Sequence, residues 1–186
     1  MMLIPGFVIA LITFPGVIVH ELAHQFFCRL FKVPVFSICY FRIGTPSGYV
    51  IHEPPKSGWA SLLIGVGPLL VNSLIGPLIA LPAVLGSKFA SDPRTGSETL
   101  YWFIDGFLIW LGVSIAMHSF PSVGDAASIW KTLRERQQSI LLNVVGTPLV
   151  GLIWLGAAGS VFWLDLAYGV FITCFLPGII INLIVS

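Results

Sequence analysis

Two histidines and a glutamate stand inside the apolar stretch Val17-Ile18-Val19-His20-Glu21-Leu22-Ala23-His24-Gln25-Phe26-Phe27. His20 and His24 are one helical turn apart, so on a helix both rings leave the same face. Two imidazoles so placed can hold one Zn2+ while the helix stays intact. Glu21 points about 100° away around the axis, where it reaches a water on the metal rather than the metal itself. Zinc lowers the pKa of such a water toward neutrality and the glutamate takes its proton, which yields a nucleophile for a carbonyl carbon. Ionisable groups in so apolar a segment are costly and mark function by default. The plain alternative is a helix-end cluster reaching out to water. Pro15-Gly16, one turn earlier, is expected to weaken or kink the helix just before the site.

Catalytic zinc normally has three protein ligands and an open position. The other acids are Glu53, Asp92, Glu98, Asp105, Asp125, Glu135 and Asp165. Asp125 is favoured: it follows the turn Pro121-Ser122-Val123-Gly124, which can aim a carboxylate inward, and its neighbours are small. Glu53 is the rival, since its loop lies at the same end of the first apolar segment. It sits beside His52 in a proline-rich loop, where both are more simply solvated. Glu135 lies in a basic run and reads as a solvated ion pair. Asp92, Glu98, Asp105 and Asp165 are expected at the opposite side of the membrane.

The membrane enters through composition. Of 186 residues, 56% are hydrophobic and 9% charged, against about 25% charged in a soluble domain. The mean hydropathy is +0.96. No basic cluster or small-residue cleavage site opens the chain, so no cleavable signal is expected. Cys28, Cys39 and Cys174 are scattered and have no metal or disulfide spacing. Basic residues interleaved with aromatics are lacking, which argues against nucleic acid.

The expected fold is an all-α polytopic membrane protein of about five transmembrane helices. A helix needs about 20 apolar residues to cross the hydrocarbon. Candidate spans run from about Leu3 to Phe31, Ser57 to Leu85 and Thr99 to Phe120. The stretch from Gln138 to Val185 is long enough for a helical hairpin that breaks between Gly159 and Asp165. Residues 33–55 carry Pro34, Gly44, Pro46, Gly48 and Pro54-Pro55 around two short β-rich runs, which predicts a small hairpin or sheet beside the membrane. Residues 121–137 predict a short amphipathic helix at the interface. Trp59, Trp102 and Trp130 fit interfacial belts. Gly156 and Ser160 have the spacing of helix-packing residues. Arg29, Lys32, Arg42, Lys56, Lys131, Arg134 and Arg136 lie in the first and third connections, and only Lys88 and Arg94 in the second. That asymmetry predicts an outside N-terminus, an inside C-terminus and a site toward the cytoplasm.

His20-Glu21-Leu22-Ala23-His24, with an aspartate at the end of the third span, resembles the site-2 protease family of intramembrane zinc proteases. Gly67-Pro68-Leu69-Leu70-Val71-Asn72 resembles that family's Gly-Pro…Asn element, and the β-rich stretch resembles its membrane-associated β region. The likeness covers about residues 5 to 137 and leaves the last helical pair unexplained. Here the order is Gly124-Asp125-Ala126, where the family has Asp-Gly. Met117 stands where the family has an asparagine, with His118 next. No PDZ-like insertion is present, which marks a divergent, minimal branch.

The resemblance implies a single membrane-embedded domain with a three-helix catalytic core and one catalytic zinc on His20, His24 and Asp125, with Glu21 as general base. It implies a membrane-spanning helix as substrate. His118 could donate to the oxyanion in place of the asparagine, add a metal ligand, or simply face headgroups at a helix end. Asn72 could bind substrate backbone or hold helices together. An edge strand from residues 33–52 could receive the unwound substrate. Two other readings stand beside this one. One is a non-proteolytic zinc-binding sensor or transporter, although no inverted repeat is visible. The other is a membrane-bound protease of soluble peptides, for which a glutamate such as Glu53 would be the third ligand. The oligomeric state is open.

Overall fold

The computed structural model describes residues 6–89, 98–135 and 139–185 of the chain. Lys88 lies in the last described turn before the first gap; Asp92, Arg94 and Arg136 fall outside the described residues.

The first apolar segment is broken into α1 (Gly6–Ile12) and α2 (Phe14–Leu30), bent by 91° at Thr13. The bend falls upstream of Pro15 because Pro15 sits in the first turn of α2, where its missing N–H would have had no helical partner. Along α2, Val17, Glu21, His24 and Cys28 are buried while Leu22 and Phe26 are exposed. The ionisable residues thus share the inward face. The helix ends in a left-handed Lys32 at φ 54°, with Lys32 N–H donating to Arg29 and Val33 N–H to Cys28. This 6→1 and 5→2 pair turns the chain sharply into the hairpin of β1 (Val35–Cys39) and β2 (Tyr49–His52), antiparallel from Val35 opposite His52 to Cys39 opposite Tyr49.

Three helices carry the rest of the site. α3 (Gly58–Phe89) has 32 residues, about 48 Å at 1.5 Å per residue. It is matched first by α4 (Glu98–Met117) and then by α5 (Val123–Glu135). Gly76 abuts Gly112, Asn72 bonds to Ile115, Gly65 abuts Ile129 and Ser61 bonds to Thr132. The two shorter helices therefore descend α3 in turn. The apolar face of α5 (Ala126, Ile129, Leu133) is buried against Leu62 and Val66 of α3 and against Leu142, Val150 and Ile153 of α6 (Ile140–Gly159).

The last stretch breaks where expected, through a 3-10 turn at Ser160–Phe162 and a left-handed Trp163. It resumes as α7 (Leu164–Val170), a π-helical segment at Phe171–Phe175 and α8 (Leu176–Val185). The two arms face different partners. Gly146 lies against Leu133 and Gly156 against Phe120, whereas Gly169 lies against Met117 and Thr173 against Gly112. The chain thus retraces α5 and then α4. Among the described residues four helices are long and apolar enough to cross a membrane, and five if the bent first pair counts as one span.

Candidate metal centre

Each of the three candidate ligands is aimed by a helix end or a helix defect. His20 and His24 come from the inward face of α2. Their Nε2 atoms are 3.2 Å apart. His20 Nδ1 lies 2.7 Å from the carbonyl oxygen of His118, and His24 Nδ1 lies 2.9 Å from that of Ile64. A carbonyl only accepts, so both Nδ1 atoms carry a proton, and in the neutral rings both Nε2 atoms present lone pairs.

Those two carbonyls are free for definite reasons. Ile64 is four residues before Pro68 in α3. Proline has no N–H, so the mid-helix carbonyl of Ile64 lacks its usual partner, and His24 takes it. His118 follows the end of α4, where the last carbonyls have no helical donor. The turn closes on the backbone bonds of His118 N–H to Ile115 and Ser119 N–H to Ala116, both at 3.2 Å, and side chains add to them. His118 Nδ1 donates to Ser114 at 3.0 Å, Ser119 Oγ to Ala116 at 2.7 Å, and Asn72 Nδ2 lies 3.2 Å from Ile115 O and 3.1 Å from His118 O. The His118 carbonyl therefore holds both His20 and Asn72.

Asp125 stands in the first turn of α5. Its Oδ2 accepts from the backbone N–H of Ser122 and from Ser122 Oγ, both at 2.7 Å, and its own N–H donates to Ser122 Oγ at 3.2 Å. This is a reciprocal capping box, and the carboxylate also benefits from the positive end of the helix dipole. Oδ1 is left over, 3.6 Å from His24 Nε2. One donor atom from each of His20, His24 and Asp125 lies within 4.8 Å of the others, so the cluster could hold a metal ion. Two lone pairs facing each other at 3.2 Å repel unless a cation or proton lies between them. Two neutral imidazoles and a carboxylate are a donor set that a divalent ion such as zinc accepts. The residues fit the group.

The centre opens on a cavity of about 880 Å³. Glu21 is 8% exposed and lines it beside the ligands, under Gly48 of the β1–β2 turn. Thr45, Ser47, Tyr49 and Val50 bring the turn and β2 to the same space. Tyr40 Oη donates to Gln25 Oε1 at 2.7 Å and ties the hairpin to α2. Gly16 lets α2 and α4 touch at the site's edge: a Cβ there would overlap the Ser114 carbonyl and stand 2.7 Å from His118 Nδ1.

The remaining candidates fall out as follows. Glu53 is exposed at the end of β2, outside both the cluster and the cavity lining. Asn72 is fully buried and does not line the cavity; it bonds to the carbonyls of Gly16, Ile115 and His118. His118 lines the cavity but is not in the cluster. With its Nδ1–H given to Ser114, a neutral His118 ring can only accept at Nε2. An oxyanion-donor role would need the protonated ring. Asp165, expected at the opposite side, lines this same cavity, because the break at Ser160–Trp163 restarts α7 level with the end of α4. Sequence reasoning missed Ser122, although Ser122-x-x-Asp125 has capping-box spacing.

Comparison with models of protein families, with characterised proteins and with solved structures gives no match.

Proposed function

We propose that this chain is an intramembrane zinc endopeptidase of the site-2 protease kind, hydrolysing peptide bonds of membrane-spanning substrates near the cytoplasmic face. The observation that carries the reading is the pair of Nε2 atoms at 3.2 Å, on rings fixed by two backbone carbonyls, with Asp125 Oδ1 beside them. A zinc ion on His20, His24 and Asp125 would supply the Lewis acid that activates water and polarises the scissile carbonyl.

The chain's own residues supply the rest. Glu21 lies outside the ligand set but in the same cavity, so it can take a proton from the attacking water and return it to the leaving amine. A membrane-spanning helix hides its peptide groups in internal hydrogen bonds and must unwind before it can be cut. Tyr49 and Val50 place β2 along the cavity, where an unwound segment can pair with the strand. The cytoplasmic placement rests on the excess of Lys and Arg in the first and third connections.

Purified wild type and Glu21→Gln, incubated in detergent with synthetic membrane-spanning peptides and read by mass spectrometry, test the reading. Chelator-sensitive cleavage by wild type, lost in Glu21→Gln while the metal stays bound, is the expected result. Full turnover by Glu21→Gln would sink it, and bound zinc without any cleavage by wild type would favour the sensor or transporter.

A further inference from the structure

The capping box at the start of α5 ties the third ligand to a residue outside the cluster. Ser122 makes three bonds to Asp125: its N–H and its hydroxyl hold Oδ2 at 2.7 Å, and its Oγ receives the Asp125 N–H at 3.2 Å. An unrestrained carboxylate swings about its Cα–Cβ and Cβ–Cγ bonds and can offer either oxygen. With Oδ2 taken by two donors, the carboxylate plane is fixed and Oδ1 alone faces His24 Nε2 at 3.6 Å. The same bonds start the helix whose Ala126 and Ile129 are buried against α3, so the carboxylate's position is set relative to the carbonyl that aims His24.

We propose that Ser122 is the positioning residue of the metal centre: its hydroxyl holds Asp125 as a single, directed oxygen donor, and one capping box both starts α5 and sets the third ligand. The proposal rests on the metal reading given above. Hydrogen-bonded partners of metal ligands typically govern about 10- to 100-fold in metal affinity, and a carboxylate that must be immobilised on binding should lie within that range.

A helix cap alone would lower stability without touching the metal, so a second cap serves as control. Ser139 starts α6 in the same way, its Oγ accepting from Leu142 N–H at 3.3 Å, and it is not part of the site. The experiment titrates the purified full chain with Co2+, followed by its visible absorption bands. The chains compared are wild type, Ser122→Ala, Ser122→Gly, Ser122→Thr, Ser139→Ala and Asp125→Ala, with thermal melting of each apoprotein. Glycine is itself a tolerated cap residue, so Ser122→Gly removes the hydroxyl while disturbing the helix little.

The expected result is a loss of Co2+ affinity of about 10- to 100-fold in Ser122→Ala and Ser122→Gly, near-wild-type affinity in Ser122→Thr, and unchanged affinity in Ser139→Ala despite a comparable drop in melting temperature. Wild-type affinity in both Ser122→Ala and Ser122→Gly, with Asp125→Ala unable to bind, would overturn the proposal and leave the metal centre standing. Failure of wild type to bind Co2+ would overturn the centre and this proposal together.

Discussion

Glu21 lies directly beneath Gly48: a Cβ added at Gly48 would stand 2.7 Å from Glu21 Cγ and 2.9 Å from its Oε1. The turn between β1 and β2 is therefore the roof of the proposed base, and its tightness depends on a residue without a side chain. Only backbone can approach a buried carboxylate so closely.

Gly48→Ala should displace Glu21 while sparing the ligands, because the added methyl meets a movable side chain rather than backbone. Peptide hydrolysis is expected to fall about 100-fold, the scale of a catalytic group misplaced by about 1 Å. Metal content and melting temperature should change little. Initial rates and metal analysis on the same preparation check this; unchanged rates would mean that Glu21 is not the base or is not held by the turn.

Pro68→Ala separates stability from metal binding. Proline inside a helix costs about 3 kcal/mol relative to alanine, so the substitution should leave the protein as stable or more so. The new N–H would claim the Ile64 carbonyl that now fixes His24 at 2.9 Å. Zinc affinity is expected to drop about 10-fold, measured by competition with a chromophoric chelator. A rise in affinity would contradict the role given to Ile64.

Asn72→Leu tests whether that residue meets substrate or holds helices. It would take the Asn72 donor from the carbonyls of Ile115 and His118, which keep the His118 N–H and His20 Nδ1 respectively, at a cost of about 0.5–1.5 kcal/mol in stability. His20 should lose definition with the His118 carbonyl they share, so metal affinity should fall as well. A raised KM with unchanged stability and metal affinity would instead place Asn72 on the substrate.

Gly16→Ala should be the most damaging of these changes. The new methyl would overlap the Ser114 carbonyl and stand 2.7 Å from His118 Nδ1, forcing α2 away from α4. Overpacking of this kind costs about 1–3 kcal/mol, and His20 rides on the helix that moves. Melting temperature and metal affinity should fall together; a wild-type melting temperature would contradict the close contact.

The parts of this site that are legible in the sequence are local. His20, Glu21 and His24 are readable because their spacing is that of a helical turn, and the hairpin because Pro34, Gly48 and Pro54 punctuate it. Asp125 could be reached by elimination, since it falls just after the third apolar segment. The groups that aim these ligands were not legible. Nothing local pairs His24 with Ile64, 40 residues away, although Pro68 announces that some carbonyl of α3 is free. Pro15-Gly16 predicts a break just before the site, and the chain bends there by 91°, at Thr13, with Pro15 in the first turn of the helix that follows. Asp165, expected at the opposite side, lines the cavity of the site, because hydropathy reports how long an apolar stretch is and not which neighbour each half packs on.

The measurement that tests the central claim most directly is the zinc stoichiometry of purified wild type, Asp125→Ala and Glu53→Ala. The account predicts one zinc per chain in wild type and in Glu53→Ala, and zinc lost or greatly weakened in Asp125→Ala. Zinc retained in Asp125→Ala and lost in Glu53→Ala would contradict the centre built on His20, His24 and Asp125.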